Sequence, residues 1–599
     1  MKEQDQGATR WIADLTGLRL LAWIGLAAWF LSLPLSHPYM IGHSHDWSYF
    51  THHALSAYLT VTRHGQLPAW DPYYCGGIPV LGNLQNNVWG PSFLFALAFG
   101  LLPGLKIAYL AFFVAGMEGT YRLGRHLGLG GAGAIAAGLC YAFTGRFTQA
   151  LFDGHPPFLA FQLVPWAILA LERGLDSFGW TVAGGAILAI VFLEGGAVPL
   201  PLTSIFLVLW AMCRTAQVLA SEPREVPWHR PLATLAAMAA VAAGMAAFRL
   251  VPVVDTLLNN PRVWELQDWY TPGQIANMLF ENHGRGGYWG DGSAFSGHMA
   301  PMLFAVAVVA RDRRALLLLA IGLLAFDVST GSSDFLGLFP LLRKLPVLEN
   351  IRNPFRFTQF VALAIALGGG TGISLIERAI LALRNRLDGK RDWHRAASVL
   401  IVAAAVVVPA AASWLAVRDI ALYTRSRLDG VFTKSPAMTM DQPFRQSVGN
   451  RWDSHVWPAA GIGTLSCFEE QRFFVSPRLR GDLPGEEYLA DPWAGTARRV
   501  GWSPHRIEIE VDLKRPTALV VNQNGHRGWH ASTGTVTEID GLLAVRIDEP
   551  GRRDVVLSFR DPLVGIGIAI SILSILALGV RELLLPRLKI GPCASRSRP

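Results

Sequence analysis

Long apolar stretches recur along the chain between short polar breaks, and roughly 17–25 such residues are what an α-helix needs to cross a bilayer. They lie near 18–36, 92–122, 131–146, 157–172, 178–193, 197–213, 232–250, 298–310, 314–328, 356–377, 397–417 and 563–584. The pattern predicts a polytopic α-helical membrane protein of about twelve spans. The stretches around 131–146 and 298–330 are short enough to be tilted or re-entrant, and Pro103 lets 92–122 form two half-helices. The first stretch follows a polar leader without a clear small-residue cleavage site, so it is expected to remain as a span.

After His505 the period changes. Ile507, Ile509, Val511 and Leu513 alternate with Glu508, Glu510 and Asp512, as in a half-buried strand. Strand-like runs follow at 517–523, 529–537, 542–548 and 553–560, divided by the turn signals Asn524-Gly525, Asp540-Gly541 and Pro550-Gly551. A C-terminal β-sandwich-like domain is expected, with Trp529 in its core. The chain thus divides into a membrane domain over 1–417, a β-rich domain over 418–562, and a last span with its tail over 563–599.

Composition agrees, with 51% hydrophobic and 16% charged residues. Orientation follows from Lys and Arg, which short cytoplasmic loops retain during insertion. Placing both termini in the cytoplasm puts Arg122–Gly130, Glu172–Gly179, Arg214–Arg230, Arg311–Arg314, Arg378–Arg395 and the tail from Arg581 on that side, each with arginine. Topology thereby accounts for the net charge of +8, and no nucleic-acid partner is implied. The opposite side receives the loops 37–91, 147–156, 251–297 and 329–355 and the β-rich domain, which makes that domain extracytoplasmic. Cys75 and Cys467 fall there, but no spacing rule says whether they pair; Cys140, Cys213 and Cys593 lie in or near the membrane or cytosol.

The first of these loops carries the most chemistry: His43-Ser44-His45-Asp46-Trp47, then an amphipathic run, then Trp70-Asp71-Pro72 and Gly76-Gly77. Over about 48–63 a helix would gather Phe50, Leu55, Tyr58, Leu59 and Thr62 on one side and leave His52, His53 and Arg63 to polar positions. Such a helix is expected to lie in the membrane interface and hold Asp46 at head-group depth. An acid there is costly unless paired or used, although capping the helix is the plain alternative for Asp46.

The HDWSYF start, the GQLPAWDPYYCGGIPV stretch, the Gly154-His155-Pro156-Pro157 turn, the segment Asn350–Phe357 and Gly528-Trp529 together resemble the YfhO family of bacterial membrane proteins, in order and along nearly the whole chain. That family is similar to the GT-C glycosyltransferases, multi-helix enzymes that take a sugar from a polyprenyl-phosphate carrier at the outer face of the bacterial inner membrane. The resemblance implies that Asp46 is the catalytic base or a metal ligand. Asp46 is flanked by His45 and lacks an adjacent second acid, so a divalent cation remains an open question.

Sugar transfer from a lipid phosphate needs a base for the acceptor hydroxyl and cationic groups for the departing phosphate. Asp46 suits the first task. Arg352 and Arg356 suit the second, because a guanidinium pairs phosphate oxygens bidentately; their plain alternative is head-group anchoring, and Pro354 favours a turn over a helix between them. Arg249 is a third cation, with snorkelling as its alternative. Asp71, Asp153, His155 and Glu194 complete the candidate substrate-binding set, Glu194 being the acid most enclosed by apolar neighbours. The loop 251–297 adds Asp255, Glu265, Asp268, Glu281, His283, Asp291 and His298 among aromatic residues, none with an assigned role.

Expected partners are a polyprenyl-phosphate-linked sugar, a glycan, lipid or protein acceptor, and the bilayer. A lipid-linked glycan polymerase or ligase is the rival within the enzyme class, a flippase or transporter of lipid-linked material the rival outside it, and an assembly scaffold the third. No nucleotide, dinucleotide or zinc-protease motif appears in a supporting context, and Gly368-Gly369-Gly370 reads as a helix-packing site.

Overall fold

The computed structural model describes residues 2–42, 44–221, 226–260, 270–281, 293–333, 335–345, 348–387, 432–434, 443–449, 454–467 and 473–584, with short pieces between 407 and 428. Helices occupy every expected span except 397–417, which falls largely outside the described residues, as does Cys593. Among the described residues four helical segments are long and apolar enough to cross a membrane: Leu101–His126, Pro199–Ala220, Pro354–Ile380 and Pro562–Arg581. A fifth is obtained if Arg230–Met245 and Ala247–Asn259, bent by 91° at Ala246, count as one. The protein is therefore an integral membrane protein, but the expectation of twelve spans is corrected to four or five among the described residues.

The reason is interruption. The stretch 92–122 forms two helices, Pro91–Phe99 and Leu101–His126, broken at Gly100; Pro103 sits in the first turn of the second, where its missing N–H is no loss. The stretch 131–146 stops at Ala142 and restarts as Gly145–Asp153, and 157–172 opens as a 3-10 helix, Pro156–Leu163, before Val164–Gly174. Met299–Val309 has only 11 residues.

Glycine lets the bundle close. A Cβ on Gly133 would stand 2.2 Å from the Gly370 carbonyl oxygen, and one on Gly370 would stand 2.4 Å from that of Gly133, so the Gly131–Ala142 and Thr358–Leu387 helices touch backbone to backbone. The Thr358–Leu387 helix also separates two ends of the molecule. Arg356 precedes it, while Arg378, 22 positions and roughly 33 Å further along, joins Arg125 and Arg314 around one cavity. Three of the arginine-bearing short loops thus converge on the end opposite Arg356.

Two four-stranded antiparallel sheets make the C-terminal sandwich. One runs Thr535–Ile539, Leu542–Ile547, Thr517–Asn524, Glu487–Leu489; the other runs Trp529–Ala531, Gly551–Phe559, Arg506–Leu513, Gly495–Ser503. Ile507, Ile509, Val511 and Leu513 face a shared core with Val545, Leu557 and Trp529, as the alternation predicts. The expected strand 529–537 is two strands, one in each sheet.

The sandwich sits on the first loop. Trp70 enters its core, 5.9 Å from Trp529 and 4.9 Å from Phe559 between ring centroids, and its Nε1 donates to Gln523 at 3.0 Å. Asn524 Nδ2 donates to the carbonyls of Cys75 and Gly77, and Cys75 is disulfide-bonded to Cys467. The loop is therefore a buried wedge between bundle and sandwich.

Candidate active site

The segment after Ser44 forms one long helix, His45–His64. Ser44 is its cap, accepting from the Trp47 amide at 3.1 Å, so Asp46 is released from the capping role that sequence left open. The helix does not lie in the interface with a wet face. His52 and His53, expected at polar positions, are 0% and 1% exposed, because both turn toward the carboxylate of Asp71.

Asp46 meets the Gly154-His155-Pro156-Pro157 turn. His155 Nε2 lies 2.8 Å from Asp46 Oδ2, with side chains 17% and 36% exposed, so the pair is reachable from solvent. The turn is held from two sides: Ser44 Oγ donates to the Asp153 carbonyl, and Trp47 Nε1 donates to the Leu151 carbonyl at 3.0 Å. Gly154 has φ +86, and a Cβ there would stand 2.4 Å from the Trp47 nitrogen, so the close approach requires glycine.

A cleft with about 500 Å3 of space, open to solvent, contains the pair. Arg356 reaches it from the 3-10 turn Pro354–Phe357, and Tyr49, Phe50 and Phe158 supply apolar walls. The Arg356 guanidinium lies 4.9 Å above the Phe158 ring, and Arg146, 1% exposed, lies 4.6 Å from the same ring. Two cations against one aromatic, Arg356 on the cleft wall and Arg146 buried, raise the positive potential beside the Asp46 carboxylate. Arg146 was missed in the sequence, although its position at the end of an apolar stretch was the available signal.

The other candidates are placed differently. Asp153 is adjacent, but its Oδ2 accepts from Gln149 at 2.9 Å. Asp71, 1% exposed, accepts from Ser56 Oγ at 2.6 Å and from the Tyr73 amide at 3.0 Å, inside the wedge. Burial works against its charge, yet His52 and His53 outweigh that and hold its pKa well below the usual carboxylate range.

Glu194 is fully buried; it accepts from the Ser92 amide at 3.1 Å and from the Ser92 hydroxyl. Arg249 does not snorkel: it is 1% exposed and donates to the carbonyls of Phe192, Leu193, Asn83, Leu84 and Asn86. Together they staple the segment 83–92 to the end of the Phe178–Leu193 helix, while the following Gly195, Ala197 and Val198 line the cleft. Arg352 is not among the cleft-lining residues. The side chain of His45 lies outside the described residues, as do Glu265, Asp268, His283 and Asp291. Among the described residues no three His, Cys, Asp or Glu side chains converge as a cation cradle.

No protein-family model and no curated protein matches the chain. Among solved structures it is similar to the arabinofuranosyltransferase AftD from Mycobacteria, at TM-score 0.43 and 17% identity over 74% of this chain, which spans only 31% of that one. It is similar to ArnT from Cupriavidus metallidurans bound to undecaprenyl phosphate, at TM-score 0.43 and 13% identity over 75% of this chain and 85% of that one. A third likeness, TM-score 0.37 and 13% identity over 76% and 65%, is to the archaeal oligosaccharyltransferase AglB from Archaeoglobus fulgidus in complex with an inhibitory peptide and a dolichol-phosphate. Scores at this level transfer neither substrate nor mechanism.

Proposed function

We propose that the chain is a membrane glycosyltransferase of the GT-C kind. It moves a monosaccharide from a polyprenyl-phosphate donor to a glycan, lipid or protein acceptor on the outer face of a bacterial inner membrane, with both termini cytoplasmic. The observation that supports this reading best is that Asp46, His155 and Arg356 meet in one cleft although they come from three separate segments. Those are the HDWSYF start, the Gly-His-Pro-Pro turn and the Asn350–Phe357 segment, each part of the family resemblance.

Asp46 takes the proton of an acceptor hydroxyl, and the acceptor oxygen attacks the anomeric carbon. The bond from that carbon to the phosphate oxygen breaks, and its electron pair leaves on the phosphate. His155 donates to Asp46 Oδ2 and so orients the carboxylate, while Arg356, with Arg146 against the same ring, stabilises the charge growing on the phosphate. The cationic end of the bundle, with Arg125, Arg314 and Arg378, faces the cytoplasm in this arrangement.

The test compares wild type with Asp46→Asn at matched expression, in membranes supplied with undecaprenyl-phosphate sugars. Transfer is expected to fall by about 100-fold or more, the usual contribution of a general base. Unchanged transfer would remove Asp46 from the chemistry and the reading with it.

A further inference from the structure

A second cavity, with about 740 Å3 of space that includes its opening to solvent, lies at the seam between the sandwich and the Ala247–Asn259 helix. Its walls come from the first loop at Trp70 and Gly77–Pro79, the helix end at Asp255–Asn260, the pair Phe473-Phe474, and the sandwich at Asn524–Arg527 and Glu538.

Its one guanidinium is already paired. Arg527 Nη1 and Nη2 donate to Asp255 Oδ1 and Oδ2 at 3.0 and 2.6 Å, and its Nε faces Asp561 at 3.7 Å. A guanidinium so occupied has little left for a phosphate. Its aromatic content is high and partly wet: Phe474 is 60% exposed on the wall, with Phe473 beside it and Trp70 below. Asn524 shapes the wall, since its amide is committed to Cys75, Gly77 and the Ser476 nitrogen. Asn260 lines it from the helix end and Glu538 from the sandwich, beside Asn259, whose Nδ2 donates to Asp255. Aromatic rings to stack on apolar sugar faces, with amides and a carboxylate to meet hydroxyls, are the chemistry that recognises carbohydrate.

We propose that this seam cavity binds a neutral oligosaccharide, the acceptor glycan of the transfer reaction. Its purpose rests on the transfer reading, but binding is measured independently of transfer. Phe474 supplies the stacking face and Glu538 the hydroxyl acceptor.

The full chain in lipid nanodiscs is titrated with cellopentaose, chitopentaose and mannopentaose, following tryptophan fluorescence, to which Trp70 in the cavity wall contributes. At least one sugar is expected to saturate, and Phe474→Ala to weaken it about tenfold, the upper end of what one aromatic stack supplies. Glu538→Gln weakens the same sugar, and Asp46→Asn leaves its binding unchanged whether or not transfer is lost. The proposal falls if no sugar saturates by about 10 mM. It falls equally if Phe474→Ala and Glu538→Gln both bind as wild type does, or if undecaprenyl phosphate displaces the sugar.

Discussion

Replacing Asp71 by alanine removes a carboxylate that is 1% exposed and receives Ser56 Oγ at 2.6 Å and the Tyr73 amide at 3.0 Å. His52 Nδ1 lies 2.7 Å from the Ser454 carbonyl, which can only accept, so Nδ1 carries a proton. Its Nε2 faces Asp71 Oδ2 at 3.7 Å, and His53 Nδ1 faces the same oxygen at 3.4 Å. The cluster joins the first loop to the segment at Ser454. Removing its carboxylate leaves the buried Ser56 hydroxyl and Tyr73 amide without their acceptor, at about 1–3 kcal/mol each. Asp71→Asn keeps an oxygen for Ser56 and Tyr73 and loses only the charge, so its cost is about 1–3 kcal/mol. Because His52 and His53 depress the Asp71 pKa, this stabilisation is full above about pH 4 and is lost only as pH falls through the lowered value. Thermal unfolding of the detergent-purified protein at pH 7 should rank wild type above Asp71→Asn and Asp71→Ala lowest, with Asp46→Asn close to wild type. An Asp71→Ala protein that melts with wild type would refute the pairing.

Gly154→Ala places a Cβ against the Trp47 nitrogen at a positive φ, and displacing the His155 turn by near 1 Å should lower transfer by about 100-fold in the same membrane assay. His505 Nε2 accepts from the Ala69 and Trp70 amides, both at 3.1 Å, and burial lowers its pKa to about 4. Stability should therefore drop by up to about 3 kcal/mol as pH falls from about 6.5 toward 4, and His505→Gln should flatten that dependence in melts across pH. Cys75 and Cys467 close a loop of 392 positions, so both should resist alkylation until reduced, and Cys467→Ser should cost about 2–5 kcal/mol in the same melts.

Much of the fold was legible because apolar length and period are local properties. The stretch 178–193 is the helix Phe178–Leu193, and the alternation from Ile507 to Leu513 is the strand Arg506–Leu513. What escaped was decided across distance. Periodicity put His52 and His53 on a wet face because it counts hydrophobicity alone; it cannot register Asp71, 18 and 19 positions on, folding back beneath them. The run 529–537 reads as one strand because no local pattern says that Trp529–Ala531 pairs with Gly551–Phe559 while Thr535–Ile539 pairs with Leu542–Ile547. The same limit sorted the acids. Glu194 and Asp46 both read as ionisable groups at the edge of an apolar stretch, and both have close polar neighbours. Glu194 is completely enclosed, with Ser92 against its carboxylate, so the group it would offer a substrate is already committed. Asp46 has one oxygen on His155, keeps 36% of its side chain exposed, and opens on a cleft that also holds a guanidinium. An enclosed acid holds a structure together, whereas a half-open acid beside a cation can exchange a proton with something that arrives. That difference in environment, invisible in residue type or spacing, is what supports the proposal that Asp46 carries the chemistry.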